Sequence, residues 1–346
     1  MSDRGLTVRD LGEQGLLQRL QRFCPIGIVG DDGAVLDSQT LDSAAIAPGQ
    51  SLIVTTDLLV DGVHFSLGLA QPEVYTTTPA DAGWRATAAN LSDLAAMGAT
   101  PIALTVGLGL PGDLPLSWLE DLYGGMAACL EQYGGAIVGG DIVRSPVLTV
   151  AITALGQTQQ GRIIQRSTAQ PGDAIVITGS HGNSRAGLEL LLHPDRGQSV
   201  SEANRAELIR AHQRPIPRLD VLPWLWTDGA DRVTGMDSSD GLADAIVQIC
   251  RLSGVGAIVD RLDQAISPAF SEWVTPEQAL DWALYGGEDF ELVLCLPPPI
   301  AQTLVRHLGQ SAAIIGSITV NPQVLWVDPT CNVLQELTLD KGFQHF

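Results

Sequence analysis

Acidic side chains in glycine-rich turns recur six times along this chain: GDDG (30–33), TTD (55–57), NLSD (90–93), GGD (139–141), DSSDG (237–241) and GGED (286–289). Lys341 is the only lysine. Carboxylates set among glycines, with no lysine to cradle a phosphate, fit a site built on hard divalent cations. Mg²⁺ takes a few carboxylates, keeps several waters and bridges to the oxygens of a polyphosphate. No GxxxxGK[ST] run is present, which excludes the usual phosphate loop, and without GxSxG the nucleophile elbow of a serine hydrolase is excluded too.

Each motif also has a plainer use. SLIVTTD (51–57) is β-rich, and strand alternation puts Thr55 and Asp57 on one face with Thr56 on the other. Hydroxyl and carboxylate together suit a hard metal, or they simply end the strand. Asp31 and Asp32 are adjacent and diverge in an extended chain, so at most one reaches a given ion unless the turn is tight. From Pro79 to Met97 the chain is alanine-rich with apolar residues at helical spacing, closed by Gly98. Ala86, Asn90, Asp93 and Met97 form one stripe of that helix. Buried there, Asp93 needs a partner, because unpaired burial costs several kcal/mol; a metal serves, and so does an arginine such as Arg85 or Arg144. Gly139 and Gly140 let a ligand approach the backbone before Asp141. In DSSDG, Ser239 or Asp240 is placed to cap the helix starting near Leu242, which leaves Asp237 unexplained. Glu288 and Asp289 are turn or site residues. His64, in DGVHF, is the best placed of six histidines, as a turn or core residue or a ligand contact. GSHGNSRAG (179–187) offers backbone N–H groups to an anion at a helix start.

The elements that must position these residues follow from pattern. Strand 51–57, helix 79–97, strand PIALTVGLGL, helix 115–133, strand AIVGG and strand PVLTVAITALGQ make a β-α-β-α-β-β layer on one sheet. Polar composition near 156–172 marks a domain boundary. Beyond it come a strand AIVITG, helices at 184–192, 201–211 and 217–227, and a strand into DSSDG. A helix to about 252, a strand at 256–260 and a helix near 276–284 follow. FELVLCL, a helix, AAIIGSI and QVLWV complete a second α/β layer. At 346 residues, 45% hydrophobic, the chain has room for two cores. A net charge of −20, from 39 acidic and 19 basic groups, repels nucleic acid and anionic membranes. The five cysteines are odd in number and form no CxxC pair, which points to reduced cytosol. The N-terminal segment has no signal-peptide core, and no apolar run is long enough to span a bilayer, so the chain is expected to be soluble and cytoplasmic.

Taken in order, GDDGAVL, TTDLLVDGVHF, NLSDLAAMGATP, GGDIVR, DSSDGL, YGGEDFEL and the terminal GFQHF closely resemble the thiamine-monophosphate kinase family. That family shares a superfamily with aminoimidazole ribonucleotide synthetase, selenophosphate synthetase and the hydrogenase-maturation dehydratase. The likeness covers essentially the whole chain. The reactive Cys or Sec of the selenophosphate enzymes and the terminal cysteine of the dehydratase have no counterpart here. The resemblance implies an α/β (α+β) two-domain PurM-like fold, with an ATP- and metal-binding domain at 1–156 and a C-terminal α/β domain at 157–346. The N-terminal sheet is expected to form a barrel across a homodimer. The implied activity is ATP-dependent phosphorylation of thiamine monophosphate to thiamine diphosphate with several Mg²⁺ ions. Matched by motif, Asp31, Thr55, Thr56, Asp57, Asp93, Asp141, Asp237 and Asp240 would be metal ligands. Tyr123, Gly140, Asp141, Arg166 and Ser239 would contact ATP, Arg166 doubling as charge stabiliser, with no covalent nucleophile on the protein. His64, Glu288 and Phe343 would hold the thiamine moiety. Against this stand another ATP-dependent synthetase of the superfamily, a non-catalytic nucleotide or Mg²⁺ binder, and a metal-dependent phosphatase.

Overall fold

A computed structural model describes residues 15, 30–36, 46–227, 230–309, 312–327 and 334–341. Phe343 and the GFQHF motif lie outside the described residues. Strands β1 (Ala34–Leu36), β2 (Gln50–Val60), β3 (Thr100–Leu110), β4 (Ile137–Arg144) and β5 (Thr149–Gln159) form one sheet in the order β1-β2-β5-β3-β4. All pairs are antiparallel except β3 with β4. Helices α1 (Pro79–Ala96) and α2 (Leu116–Tyr133) cover one face, as the helix–strand alternation predicts. β5 runs on to Gln159, past the 156/157 junction expected from composition. The short strand β1 escaped the pattern analysis, since three residues carry no period to detect.

The second layer holds β6 (Ala174–Ile177), β7 (Thr234–Asp237), β8 (Gly256–Val259), β9 (Leu292–Leu296), β10 (Ala313–Thr319), β11 (Val324–Val327) and β12 (Leu334–Glu336), in the order β12-β11-β8-β10-β6-β9-β7. Around it lie α3 (Asn183–Leu192), α4 (Glu202–Gln213), α5 (Leu242–Ser253), α6 (Pro276–Tyr285) and α7 (Pro298–Leu308). The helix expected over 217–227 is reduced to a 3₁₀ turn and one turn at Leu222–Leu225. Pro215, Pro217 and Pro223 interrupt that stretch, and each lacks the N–H a helix interior needs.

One helix joins the two layers. Thr78 caps α1 by accepting the Asp81 N–H at 3.1 Å, with Pro79 in the first turn where its missing N–H is harmless. Almost every α1 residue is buried, because the sheet, α2 and the second layer surround it. Ala95 and Ala96 pack with Ile164 of the linker and with Val176, Leu292 and Leu294 of the second layer. Trp84 donates to the Pro215 carbonyl at 2.9 Å, Arg85 donates to the His212 carbonyl and pairs with Glu288, and Arg214 pairs with Asp81. Glycine permits the α1–α2 crossing. A Cβ on Gly83 would lie 1.9 Å from the Leu122 carbonyl oxygen, and one on Gly125 would lie 1.8 Å from that of Ala80. Gly125→Ala is therefore expected to cost about 2–3 kcal/mol by overpacking, read as a lower urea midpoint with helix content retained. A midpoint unchanged from wild type would contradict this account of the crossing.

Candidate active site

Three carboxylates from three elements meet at the junction of the layers: Asp32 before β1, Asp93 on α1 and Asp237 at the end of β7. One oxygen of each lies within 4.8 Å of the others. Sequence spacing alone does not bring them together; the docking of α1 against both sheets does. Thr55, on β2, donates its hydroxyl to Asp93. Asp57, two residues on along the same face, accepts nothing from α1 through its side chain; its backbone N–H donates to Asn90 Oδ1 at 3.3 Å. Ser92 donates to Asp237 Oδ2 at 2.6 Å, and the Ser239 hydroxyl donates to Asp237 Oδ1 at 2.8 Å.

Arg166 closes the cluster from the linker between the layers. Its Nε and Nη2 donate to the two oxygens of Asp32 at 3.2 and 2.6 Å, while its backbone N–H donates to Asp31 Oδ1 at 2.8 Å. The GDDG pair is thereby split, and it is Asp32, not Asp31, that joins Asp93 and Asp237. Asp31, expected as the ligand of this pair, has its Oδ1 on the Arg166 backbone N–H and is not one of the three grouped carboxylates.

Burial and mutual repulsion govern the charge here. Burial, with Asp32 adding to it, pushes Asp57 up to about 6. Asp237 is pushed to about 7 by burial and Asp32, against the hydrogen bonds from Ser92 and Ser239. Asp93 rises well above the ordinary carboxylate value through burial and then its neighbours Asp57, Asp237 and Asp32. Burial also raises Asp31. Burial alone would lower Arg166, but Asp32, Asp237 and Asp31 hold it above its ordinary value. An all-oxygen donor set, carboxylate-rich and answered by one guanidinium, has the composition that a hard divalent cation requires.

Other expected residues fall differently. Thr56 lies on the opposite, exposed face of β2 from Thr55, its hydroxyl 2.9 Å from that of Thr153, as strand alternation requires. Asp141 sits on the exposed edge strand β4, its carboxylate accepting the Ile142 N–H at 2.9 Å, outside the three-carboxylate cluster. Gly140 faces Val106, whose carbonyl oxygen would lie 1.9 Å from any Cβ there. Tyr123 is half-buried on α2 at the border of the first core. Neither Ser239 nor Asp240 caps α5; its N-cap is Gly241, with no side-chain bond. Asp240, three residues after Asp237, is half-buried. Arg85, considered as a partner for Asp93, is committed to Glu288 and His212.

GGED lies against DSSDG: the Glu288 N–H donates to the Ser239 carbonyl at 2.7 Å. Burial would raise Glu288, but Arg85, His212 and His64 together hold it below its ordinary value. His64, half-buried, accepts the Val60 N–H at Nδ1 (3.1 Å) and is close enough to Glu288 to act on its charge, so two of the three residues expected to contact thiamine are neighbours. Asp289 accepts the N–H groups of Gly182 and Ser184 at 2.6 and 2.9 Å. The anion at the GSHGN helix start is thus the protein's own carboxylate, pushed up to about 7 by burial.

Two-layer fold and junctional carboxylate site define a class. The AIR synthase related protein N-terminal domain matches residues 30–158 and the corresponding C-terminal domain matches 170–327. E. coli HypE, a hydrogenase maturation protein 22% identical, shares that fold with a TM-score of 0.66 over 94% of this chain and 97% of its own. Much nearer relatives are thiamine-monophosphate kinases: that of Synechococcus elongatus is 50% identical over 100% of this chain and 99% of its own, and that of Prochlorococcus marinus 38% identical over 98% and 97%. The solved structure of AaThiL complexed with AMPPCP and TMP is 28% identical, covers 99% of each chain and superposes with a TM-score of 0.80. The chain belongs to the thiamine-monophosphate kinase family.

The raised aspartates fix a pH dependence. Their unfolded value is 3.8, and Asp57 and Asp237 rise to about 6 and about 7 on folding, so their contribution to stability is full below about pH 4 and is lost as pH rises to about 7. A cation needs the ionised forms. Thermal melts without divalent ions should therefore show the midpoint falling across that window, and MgCl₂ should raise it more at about pH 8 than at about pH 5. An equal Mg²⁺ shift at both would count against the cluster as the binding site.

Proposed function

We propose that this chain phosphorylates thiamine monophosphate with ATP, giving thiamine diphosphate and ADP. The observation that carries the reading is the convergence of Asp32, Asp93 and Asp237 from both layers beside Arg166, in a chain 50% identical to a thiamine-monophosphate kinase. Asp32, Asp93 and Asp237, with Thr55 and Asp57 beside them, would hold Mg²⁺, and Asp141 and Asp240 are further candidate ligands. Bound there, Mg²⁺ neutralises the phosphate charge brought by two anionic substrates. Tyr123, Gly140, Asp141, Arg166 and Ser239 are assigned to ATP, and His64 and Glu288 to the thiamine moiety.

In the proposed step a terminal phosphate oxygen of thiamine monophosphate bonds to the γ-phosphorus, and the bond from that phosphorus to the β–γ bridging oxygen breaks. ADP leaves with that electron pair. The acceptor oxygen is ionised near neutral pH, so no strong general base is required. Arg166 is clamped on Asp32 before substrate arrives, which spares the cost of ordering its side chain and leaves it to stabilise phosphate charge.

Residues 1–156 and 157–346 are taken as the two units, supported by the separation of the sheets between β5 and β6. A homodimer is supported by the sheet face left open by α1 and α2 and by the edge strand β4. Leu58 on β2 is 56% exposed, and Val138 and Ile142 on the edge strand β4 are 63% and 59% exposed, apolar surface on the open face and on the unpaired edge. Closing two such sheets into one barrel would cover both. The cytoplasm is the compartment proposed, supported by the free thiols of Cys129, Cys250 and Cys295.

Chromatography of a mixture of protein, ATP, MgCl₂ and thiamine monophosphate should show the diphosphate. Asp93→Asn should lower turnover by about two orders of magnitude with the fold retained; near wild-type turnover at saturating Mg²⁺ would refute its assignment. Light scattering should give about twice the 36.6 kDa chain mass, and Ile142→Arg should give the monomer. A wild-type monomer would refute the dimer without touching the chemistry.

A further inference from the structure

Ser92 lies one residue before Asp93 in α1 and is fully buried. A serine inside a helix ordinarily donates to the carbonyl one turn back. Thr87, on the same helix, does so, to Gly83 at 3.0 Å. Ser92 instead reaches out of its own domain to Asp237 Oδ2, 145 residues away, at 2.6 Å. Alanine at this position would suit the helix better, and Ala88, Ala89, Ala95 and Ala96 stand one turn to either side, so the hydroxyl answers to something other than local structure.

The geometry around Asp237 shows what that is. The two oxygens of this carboxylate are held from opposite sides, Oδ1 by the Ser239 hydroxyl at 2.8 Å and Oδ2 by Ser92. Ser239 belongs to the same loop as Asp237 and travels with it. Ser92 belongs to the helix that carries Asp93, so its bond ties the carboxylate of the second layer directly to that of the first. The other tie at the cluster, Arg166 to Asp32, fixes only the linker to GDDG.

We propose that Ser92 is a positioning residue that sets the orientation of Asp237 relative to Asp93 and so the fit of the carboxylate cluster to a divalent cation. The proposal rests on the metal-binding reading of that cluster. Ser92 contributes no ligand of its own; its loss frees Asp237 to rotate and leaves Oδ2 seeking another donor. Partners that orient ligands in this way are worth about 10- to 100-fold in metal affinity.

The test is Mn²⁺ binding to the full chain, followed by electron paramagnetic resonance without nucleotide or thiamine monophosphate. Ser92→Ala is expected to weaken Mn²⁺ binding about tenfold, with a thermal midpoint close to wild type. In an Asp237→Asn background the same substitution should add nothing, because the carboxylate it orients is gone. Affinity within about twofold of wild type in Ser92→Ala, or an equal loss in the Asp237→Asn background, would overturn the proposal. Wild-type protein that fails to bind Mn²⁺ would overturn the cluster reading and this proposal together. Protein that binds Mn²⁺ with the expected coupling yet makes no diphosphate would overturn the kinase reading alone.

Discussion

Repulsion between buried carboxylates is the constraint to which the rest of the molecule is fitted. Three of them share a space in which oxygens lie within 4.8 Å of one another. Each ionised pair at that distance costs about 3–4 kcal/mol at an effective dielectric of 20. The chain meets that cost with one guanidinium, three hydroxyl donors and partial protonation, and stops short of neutralising it. One basic group leaves the cluster net acidic, which is what the proposed cation site requires. The raised values of Asp57, Asp93 and Asp237 are the same fact seen from the proton's side.

Holding such a cluster at a domain junction demands a rigid strut, and α1 is that strut. Its burial on all sides explains the alanines and Gly83, which allow the sheet, α2 and the second layer to approach it together. Its polar residues are then divided by direction. Asn90 and Asp93 serve β2, through the Asp57 N–H and the Thr55 hydroxyl. Arg85 and Ser92, two turns apart and so on one stripe, serve the second layer through Glu288, His212 and Asp237. Site geometry and domain docking are therefore one structural property, and a change in how α1 packs is a change in the cluster.

What was legible in the sequence follows this division. Period and punctuation revealed α1, α2 and the long strands: α2 and the strands carry the period of one buried face, and α1 is bounded by Pro79 and Gly98. Alternation along β2 separated Thr55 and Asp57 from Thr56, and the structure keeps that separation even though motif matching had grouped all three. Asp31 and Asp32 could not be ranked locally: adjacent, alike and equally flanked by glycine, they are distinguished only by Arg166, some 134 residues later. Ser92 carried no signal at all, since its significance lies in a bond across domains. The cap expected from Ser239 failed for a related reason, its hydroxyl being drawn to Asp237. Local grammar predicts local partners, and this site is made of distant ones.

The same logic accounts for the GGED turn. Glu288 and Phe290 have φ of 60° and 53°, left-handed values that cost a residue with a Cβ about 1–2 kcal/mol each. Strain of that kind persists only where surroundings over-determine it. Here Glu288 is fixed through its N–H by Ser239 and through its carboxylate by Arg85. Asp289, between the two strained residues, is pinned to the start of α3 by two backbone N–H groups. Every one of these anchors lies on an element that also builds or adjoins the carboxylate cluster: the Asp237 loop, α1, or the turn whose His181 contacts Ser238 at 3.1 Å. Relaxing the turn would release Ser239, and with it one of the two holds on Asp237. The strained turn and the charged cluster thus stabilise each other's geometry: Glu288, assigned to the vitamin, is bonded to Ser239, whose hydroxyl in turn holds Asp237.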